Sequence, residues 1–400
     1  MTSEWRTVSV GDLGRVVTGK TPKTAIVENY GGNIPFLTPS DDMGVKTSTA
    51  TAKTLTERGL SEVKNCLLPP RSICVSCIGS DLGKVVMTSR ATVTNQQINS
   101  IVPSPDFDAD FIYYAMCILG KELNYISKTS TAVPIVNKSS FSSYQIDVPP
   151  LPEQQEIGRV LAALDARIAN NTAINNHLEQ MAQVIFRSWF VDFEPFGGEM
   201  PGDWREVPLG EVVEMSTRAL NPQSCPDTIL EHYSIPAFDE TRLPVFEAAS
   251  EIKSNKYIVD KDCFLISKLN PTTKRIWRPY CISQHAVCST EFMVYRAKNR
   301  DHKDFYYSVI DSPAFTDFLL AHITGSTGSR QRAIPSETLS FSVIVPPDDI
   351  IEDFCDKVTA VYAHFEQNHL ENRRLRQMRD ALLPRLMSGE LSVADLGDAK

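Results

Sequence analysis

GRVVTGKT, at Gly14–Thr21, spells the G-x-x-x-x-G-K-[ST] pattern of a loop that cradles phosphate. That chemistry needs a strand, a glycine turn whose N–H groups converge, and a helix starting at the lysine. Val16 and Val17 favour extended backbone instead, and Pro22 follows at once. Pro226, Asp227, Glu251 and Lys253 satisfy a loose nuclease pattern, PD followed by E-x-K, without flanking catalytic context. Cys74 and Cys77 form a lone C-x-x-C inside an apolar run, and a zinc site would require a second ligand pair. NPTT at 270–273 falls short of the Asn-Pro-Pro-aromatic motif of adenine methylation. The sequence therefore predicts no catalytic residues and no metal site in this chain.

Other polar groups are gathered in loops. One segment, SKLNPTTKRIWRP, carries Lys268, Lys274, Arg275, Trp277 and Arg278, and another, GSTGSRQR, carries Ser326, Thr327, Arg330, Gln331 and Arg332. The first half offers Lys20 and Lys23, Lys84, the run Asn95, Gln96 and Gln97, and Lys128. Lysine and arginine neutralise phosphates, while Asn, Gln and Arg can bond base edges bidentately. These residues are the candidate DNA contacts, weighed against plain solvated loops.

The elements that must position them follow from an internal duplication. IDVPPLPEQQEI (146–157) aligns with VIVPPDDIIEDF (343–354) at an offset of 197, and WRTVSVGDL (5–13) matches WREVPLGEV (204–212) at 199. Each unit is a mixed α/β body followed by a long helix. The boundaries read as a first body at 1–150, a first helix at 151–194, a linker at 195–203, a second body at 204–347, a second helix at 348–388 and a tail at 389–400. SICVSCIG and DCFLISKL read as strands running into loops, and DFIYYAMCI and DFYYSVIDS as short helices.

Ile157, Leu164, Asn171, Leu178 and Ile185 recur every seven residues, and Leu161, Ile168, Asn175, Ala182 and Trp189 form a companion series. The second copy places Asn368 and Asn372 at the matching seam positions, with Arg379 further along. Such heptads predict a coiled-coil seam. An antiparallel pairing sets Asn171 opposite Asn372 and Asn175 opposite Asn368, where buried amides hold the register. Solvated amides are the plainer alternative.

The bulk composition fits a chain of more than one domain, with 400 residues, 42% hydrophobic and 22% charged. The net charge of −9 is concentrated in 151–203 (3 basic against 8 acidic) and 346–400 (7 against 11), so the bodies are close to neutral. Nine scattered cysteines read as reduced intracellular thiols. No secretory signal and no membrane span is visible, so a cytoplasmic location is expected.

VPPLPEQQEIGRVLAALDARI, FRSWFVDFEPF, LLPRLMSGEL, TGKTP and GSTGSRQRAI, on this duplicated frame, resemble the specificity subunits of type I restriction-modification systems. The resemblance implies a non-catalytic subunit that reads a bipartite double-stranded DNA target. Each body would be a target-recognition domain for one half-site, with the two helices setting the gap. It further implies two methyltransferase subunits carrying S-adenosylmethionine, restriction subunits using ATP and Mg, and no cofactor on this chain. The rival readings are a stand-alone ATPase or nuclease built on the motifs above, and a coiled-coil scaffold that binds no DNA.

Overall fold

A computed structural model describes residues 5–48, 50–79, 82–129, 135–325 and 331–397. The chain forms two compact units, Met1–Asn170 with Arg374–Lys400, and Asn171–Arg373.

The apolar run at 73–76 is a central strand of the first unit. Ile73–Ser76 pairs antiparallel with Ile98–Pro103 and with Val85–Thr88, and Gly14–Thr18 extends the same sheet beside Ile98–Pro103. Fully buried strands lack polar alternation, and here Ile73, Cys74 and Val75 are all wholly buried. A second sheet orders Lys53–Leu55, Tyr30–Leu37 and Val93–Thr94. Ala109–Thr129 packs on the main sheet as a 21-residue helix, longer than its apolar segment alone suggests. Lys128 thus lies on a helix rather than in a loop.

The second unit repeats this plan. Cys263–Ser267 lies beside Phe292–Ala297, which pairs in turn with Val213–Ser216. The N-terminal strand of each copy returns to the strand before its long helix: Arg6 pairs with Val148, and Arg205 with Val345. These pairs differ by 199 and 197 residues, the offsets of the sequence repeat. The second sheet is repeated too: Ile229–Tyr233 pairs antiparallel with Val245–Ala248 and parallel with Ala286–Ser289, as Tyr30–Leu37 does with Lys53–Leu55 and Val93–Thr94, and Lys256–Ile258 and Ala219–Leu220 extend it to five strands.

The long helices run over Leu151–Phe190 and Asp348–Met387. The first stops four residues short of the expected 194. Phe193 turns to a left-handed φ of 52°, which breaks the α-helical path, and a short 3-10 turn, Glu194–Phe196, follows. The aromatic run that follows is core: Phe190 packs against Phe305, Phe354 and Trp204 at ring-centroid distances of 4.9, 5.0 and 5.8 Å. Gly389, with φ of 73°, follows the end of the second helix, a conformation that glycine adopts without strain.

In the second unit the four asparagines meet. Asn171 Nδ2 donates to Asn372 Oδ1 at 3.0 Å, and Asn368 Nδ2 donates to Asn175 Oδ1 at 2.9 Å. Residues 171 to 175 therefore run against 372 to 368, antiparallel within one chain. Asn171 Nδ2 donates to Glu371 as well, at 2.8 Å, and Asn175 Nδ2 donates to the Phe365 carbonyl at 3.2 Å. In the first unit the seam arginine, Arg379, is answered by Asp165 at 2.7 Å, which also accepts from the Tyr114 hydroxyl at 2.6 Å.

Replacing Asn372 by Leu strands the Asn171 amide and should cost about 1–3 kcal/mol in denaturant unfolding. Replacing all four by Leu should restore or exceed the parent stability. Equal stability of the single variant and the parent would remove the amides from any register role.

Among the described residues no helix is long and apolar enough to cross a membrane.

Candidate nucleic-acid interface

The phosphate-loop pattern folds without a phosphate cradle. Gly14–Thr18 is a strand, and no helix begins at Lys20. Gly19 serves a close approach instead, since a Cβ there would lie 2.2 Å from the Asn95 carbonyl. Cys74 is buried, and desolvation pushes its thiol up to about 12, leaving an inert group. Lys253 of the nuclease-like pattern bonds only the nearby Ser250 carbonyl, at 3.2 Å. Among the described residues no group of three or more His, Cys, Asp or Glu could hold a metal.

In the first body a chain of bonds gathers the loops. The Lys20 amide donates to the Thr94 carbonyl at 2.9 Å, and Thr21 Oγ1 to Gln96 Oε1 at 2.6 Å. The Cys77 amide bonds the Gln97 carbonyl, and the Val136 amide bonds the Cys77 carbonyl. Asn124 of the helix Ala109–Thr129 donates to the Leu82 carbonyl at 3.0 Å. Lys20, Lys23, Lys84, Gln96 and Lys128 are exposed on these segments, and Gln97 is half-buried. Asn95 is different. It is buried, donates to Gln97 Oε1 and accepts from the Gln97 amide, so its side chain holds the turn.

The second body repeats the construction. Ile78 bridges Ile135 in the first body, and Leu269 bridges Arg332 in the second. The Val136 bond to Cys77 has its counterpart in the Ala333 amide donating to the Lys268 carbonyl at 2.9 Å. Asn270 takes a left-handed φ of 47°, and its amide donates to the Gln331 carbonyl. Lys268 and Gln331 are half-buried at this junction. Ser326, Thr327 and Arg330 lie outside the described residues.

Four expected contacts of the second body are spent on the fold. Trp277 is 3% exposed, with its ring 4.8 Å from that of Tyr233 and 5.2 Å from that of Phe238. Arg275 is buried and clasps Asp239 with two bonds of 2.6 and 2.8 Å. Arg278 clasps Asp304 in the same way, at 2.8 and 3.3 Å, with its guanidinium over the Tyr362 ring. Lys274 bonds both the Asp311 carboxylate and the Asp311 carbonyl. The physical reason is one of partners: aspartates on the helices Ile235–Thr241 and Lys303–Asp311 meet these bases through space. Sequence reasoning also missed Glu291, which takes both Nε and Nη2 of Arg332 at 3.1 and 3.2 Å. No local pattern marks that acid, 41 residues away from the arginine.

Comparison with known proteins agrees with this duplicated frame. The family profile described as Type I restriction modification DNA specificity domain matches residues 2–180. The MjaIX specificity subunit of Methanocaldococcus jannaschii is 26% identical, the alignment covering 98% of this chain and 95% of that protein. The HindI specificity subunit of Haemophilus influenzae is 30% identical over 183 residues, which is 45% of this chain and 40% of that one. The crystal structure of a type I restriction-modification S subunit from M. genitalium shares the fold, with a TM-score of 0.60 at 14% identity and 96% of each chain covered. A mixed α/β chain that builds the same strand-exit junction twice, each copy followed by a long helix, is thus similar to the specificity subunits of type I restriction-modification systems.

Proposed function

We propose that this chain is the non-catalytic, DNA-reading subunit of a type I complex. Its two bodies, 1–150 and 204–347, serve as target-recognition domains, one for each half of a bipartite site. The helices between them set the length of the unread gap. The observation that carries this reading is the duplicated junction, Ile78 with Ile135 and Leu269 with Arg332, which presents loops bearing polar and basic residues in both bodies.

Two methyltransferase subunits carrying S-adenosylmethionine supply modification, and restriction subunits supply ATP- and Mg-dependent cleavage, in the cytoplasm where the genome lies. Exposed Lys20, Lys23, Lys84, Gln96 and Lys128 are the first body's DNA contacts, and Lys268 and Gln331 serve the second. Ser326, Thr327 and Arg330, outside the described residues, are proposed as further DNA contacts. Asn171, Asn175, Asn368 and Asn372 keep the helix register. Acidic segments at 151–203 and 346–400 leave the isolated chain a weak DNA binder, so tight binding requires the docked subunits.

The test maps modified adenines in cells with and without this chain. A bipartite methylated sequence that disappears with the chain is expected. Identical maps would refute DNA reading and favour a scaffold, whereas nucleotide hydrolysis by the purified chain would favour the enzyme reading.

A further inference from the structure

We infer that Arg332, held by Glu291, reads a guanine in the second half-site. The inference rests on the DNA-reading proposal and assigns a base to one residue.

Location is the first argument. Arg332 sits across from Leu269, just beyond the end of the buried strand Cys263–Ser267. Thr324 Oγ1 donates to the Arg332 carbonyl and Lys268 accepts from the next amide, so the backbone is fixed on both sides. The side chain stands on a strand pair, Ile323–Thr324 with Arg332–Ala333, rather than on a free loop. Rigid support of this kind is what base reading requires.

Availability is the second. Arg275 and Arg278 have side chains only 10% and 16% exposed, with their forks turned onto Asp239 and Asp304. Arg332 has 46% of its side chain exposed.

Geometry is the third. Glu291 engages the Nε and Nη2 side of the guanidinium, which leaves the Nη1–Nη2 edge. Two parallel donors of that edge match guanine O6 and N7 in the major groove, the commonest specific protein–DNA contact. An exposed ion pair contributes little to folding, so the clasp's effect is orientation: it removes rotamer freedom before DNA arrives. The carboxylate also cancels the arginine's charge, which makes the pair a poor clamp for phosphate and a good reader of a neutral base edge. At the equivalent place the first body exposes Ile135, 66% accessible, which carries no side-chain donor. This arginine contact therefore belongs to the second body and has no counterpart at the equivalent place in the first.

The experiment expresses the full chain with its methyltransferase subunits and maps methylated sites for the parent, Arg332→Lys, Arg332→Ala and Glu291→Gln. Lysine keeps the charge and loses the fork. Both arginine variants should relax one guanine of the second half-site, with discrimination there falling about 10-fold or more and the first half-site unchanged. Glu291→Gln should relax the same base to a smaller degree. Thermal melting of each purified complex should match that of the parent. A parent second half-site without guanine, an unrelaxed second half-site in every variant, or loss of methylation at all sites alike would each overturn the assignment. DNA reading itself falls by a different result, a parent map that does not depend on this chain.

Discussion

Arg278→Ala should destabilise the second body by about 3–5 kcal/mol, because it leaves the Asp304 carboxylate buried without its bidentate partner. Asp304 has a side chain only 5% exposed, and Arg278 only 16%. Thr359 Oγ1 donates to the same carboxylate at 2.7 Å, while Lys303 stands 3.9 Å away and replaces only part of the lost charge. Burial by itself would raise the Asp304 pKa, but the Arg278 charge and hydrogen bonds, with Lys303 and Thr359, outweigh it and hold the acid below its ordinary value. A depressed carboxylate stabilises the fold above its unfolded pKa of about 3.9. That contribution is lost as the pH falls through the lower folded value. The parent should therefore lose this part of its stability only in strong acid, while Arg278→Ala shows a smaller acid-dependent loss. Urea unfolding of both chains at neutral and acid pH measures the difference. The double change Arg278→Met with Asp304→Leu should cost less than the single one, since the carboxylate that Arg278 answers is then gone as well. A cost below about 1 kcal/mol for Arg278→Ala would release this arginine from the fold and return it to the candidate DNA contacts. The contrast with Arg332 is useful. A base-reading arginine relaxes one position with stability intact, whereas a structural one lowers stability before it changes specificity.

Lengthening the helices should change the gap between half-sites and leave the half-sites themselves alone. The asparagine layers dictate how this must be done. Asn171 faces Asn372 and Asn175 faces Asn368, so seven residues added to one helix alone would have no partner layer. A heptad added to both helices, on the same side of the asparagines, keeps every layer matched. The pair then grows by about 10 Å at about 1.5 Å per residue. With one phosphate per strand every ~3.4 Å, the recognised gap should widen by up to about three base pairs. Methylation mapping reads the outcome directly, and an unchanged gap with both half-sites retained would remove the helices from the role of ruler. Insertion into the first helix alone should instead lower stability and give no new spacing, because it places an amide opposite an apolar layer.

How much of this was legible beforehand depends on the range of each interaction. Heptad spacing is a property of consecutive residues, so the two long helices, their seam and the matched asparagines followed from Ile157 to Trp189 and its copy. The duplication was equally plain, and the strand pairings Arg6 with Val148 and Arg205 with Val345 fall on its two offsets. Buried strands announced themselves as short apolar runs at 73–76 and 263–267. The misleading motifs were also weakened locally, by β-branched residues where a phosphate loop needs a glycine turn.

Charged loop residues behave differently. Arg275, Arg278, Arg330 and Arg332 are alike in the sequence: each is a cation in a polar stretch. Only tertiary pairing distinguishes Arg275 with Asp239 and Arg278 with Asp304, both turned inward, from Arg332 with Glu291 on an exposed edge. Those acids lie 36, 26 and 41 residues away and come close because sheet order and helix packing bring them there. Trp277 illustrates the same limit, since an indole beside three basic residues suits base stacking as well as a core, and the rings of Tyr233, Phe238 and Phe292 decide for the core. Amino-acid type and spacing determined the elements, their repetition and the seam. Which polar groups remain available for DNA was decided by the tertiary fold, because a donor is free or occupied according to its neighbours in space.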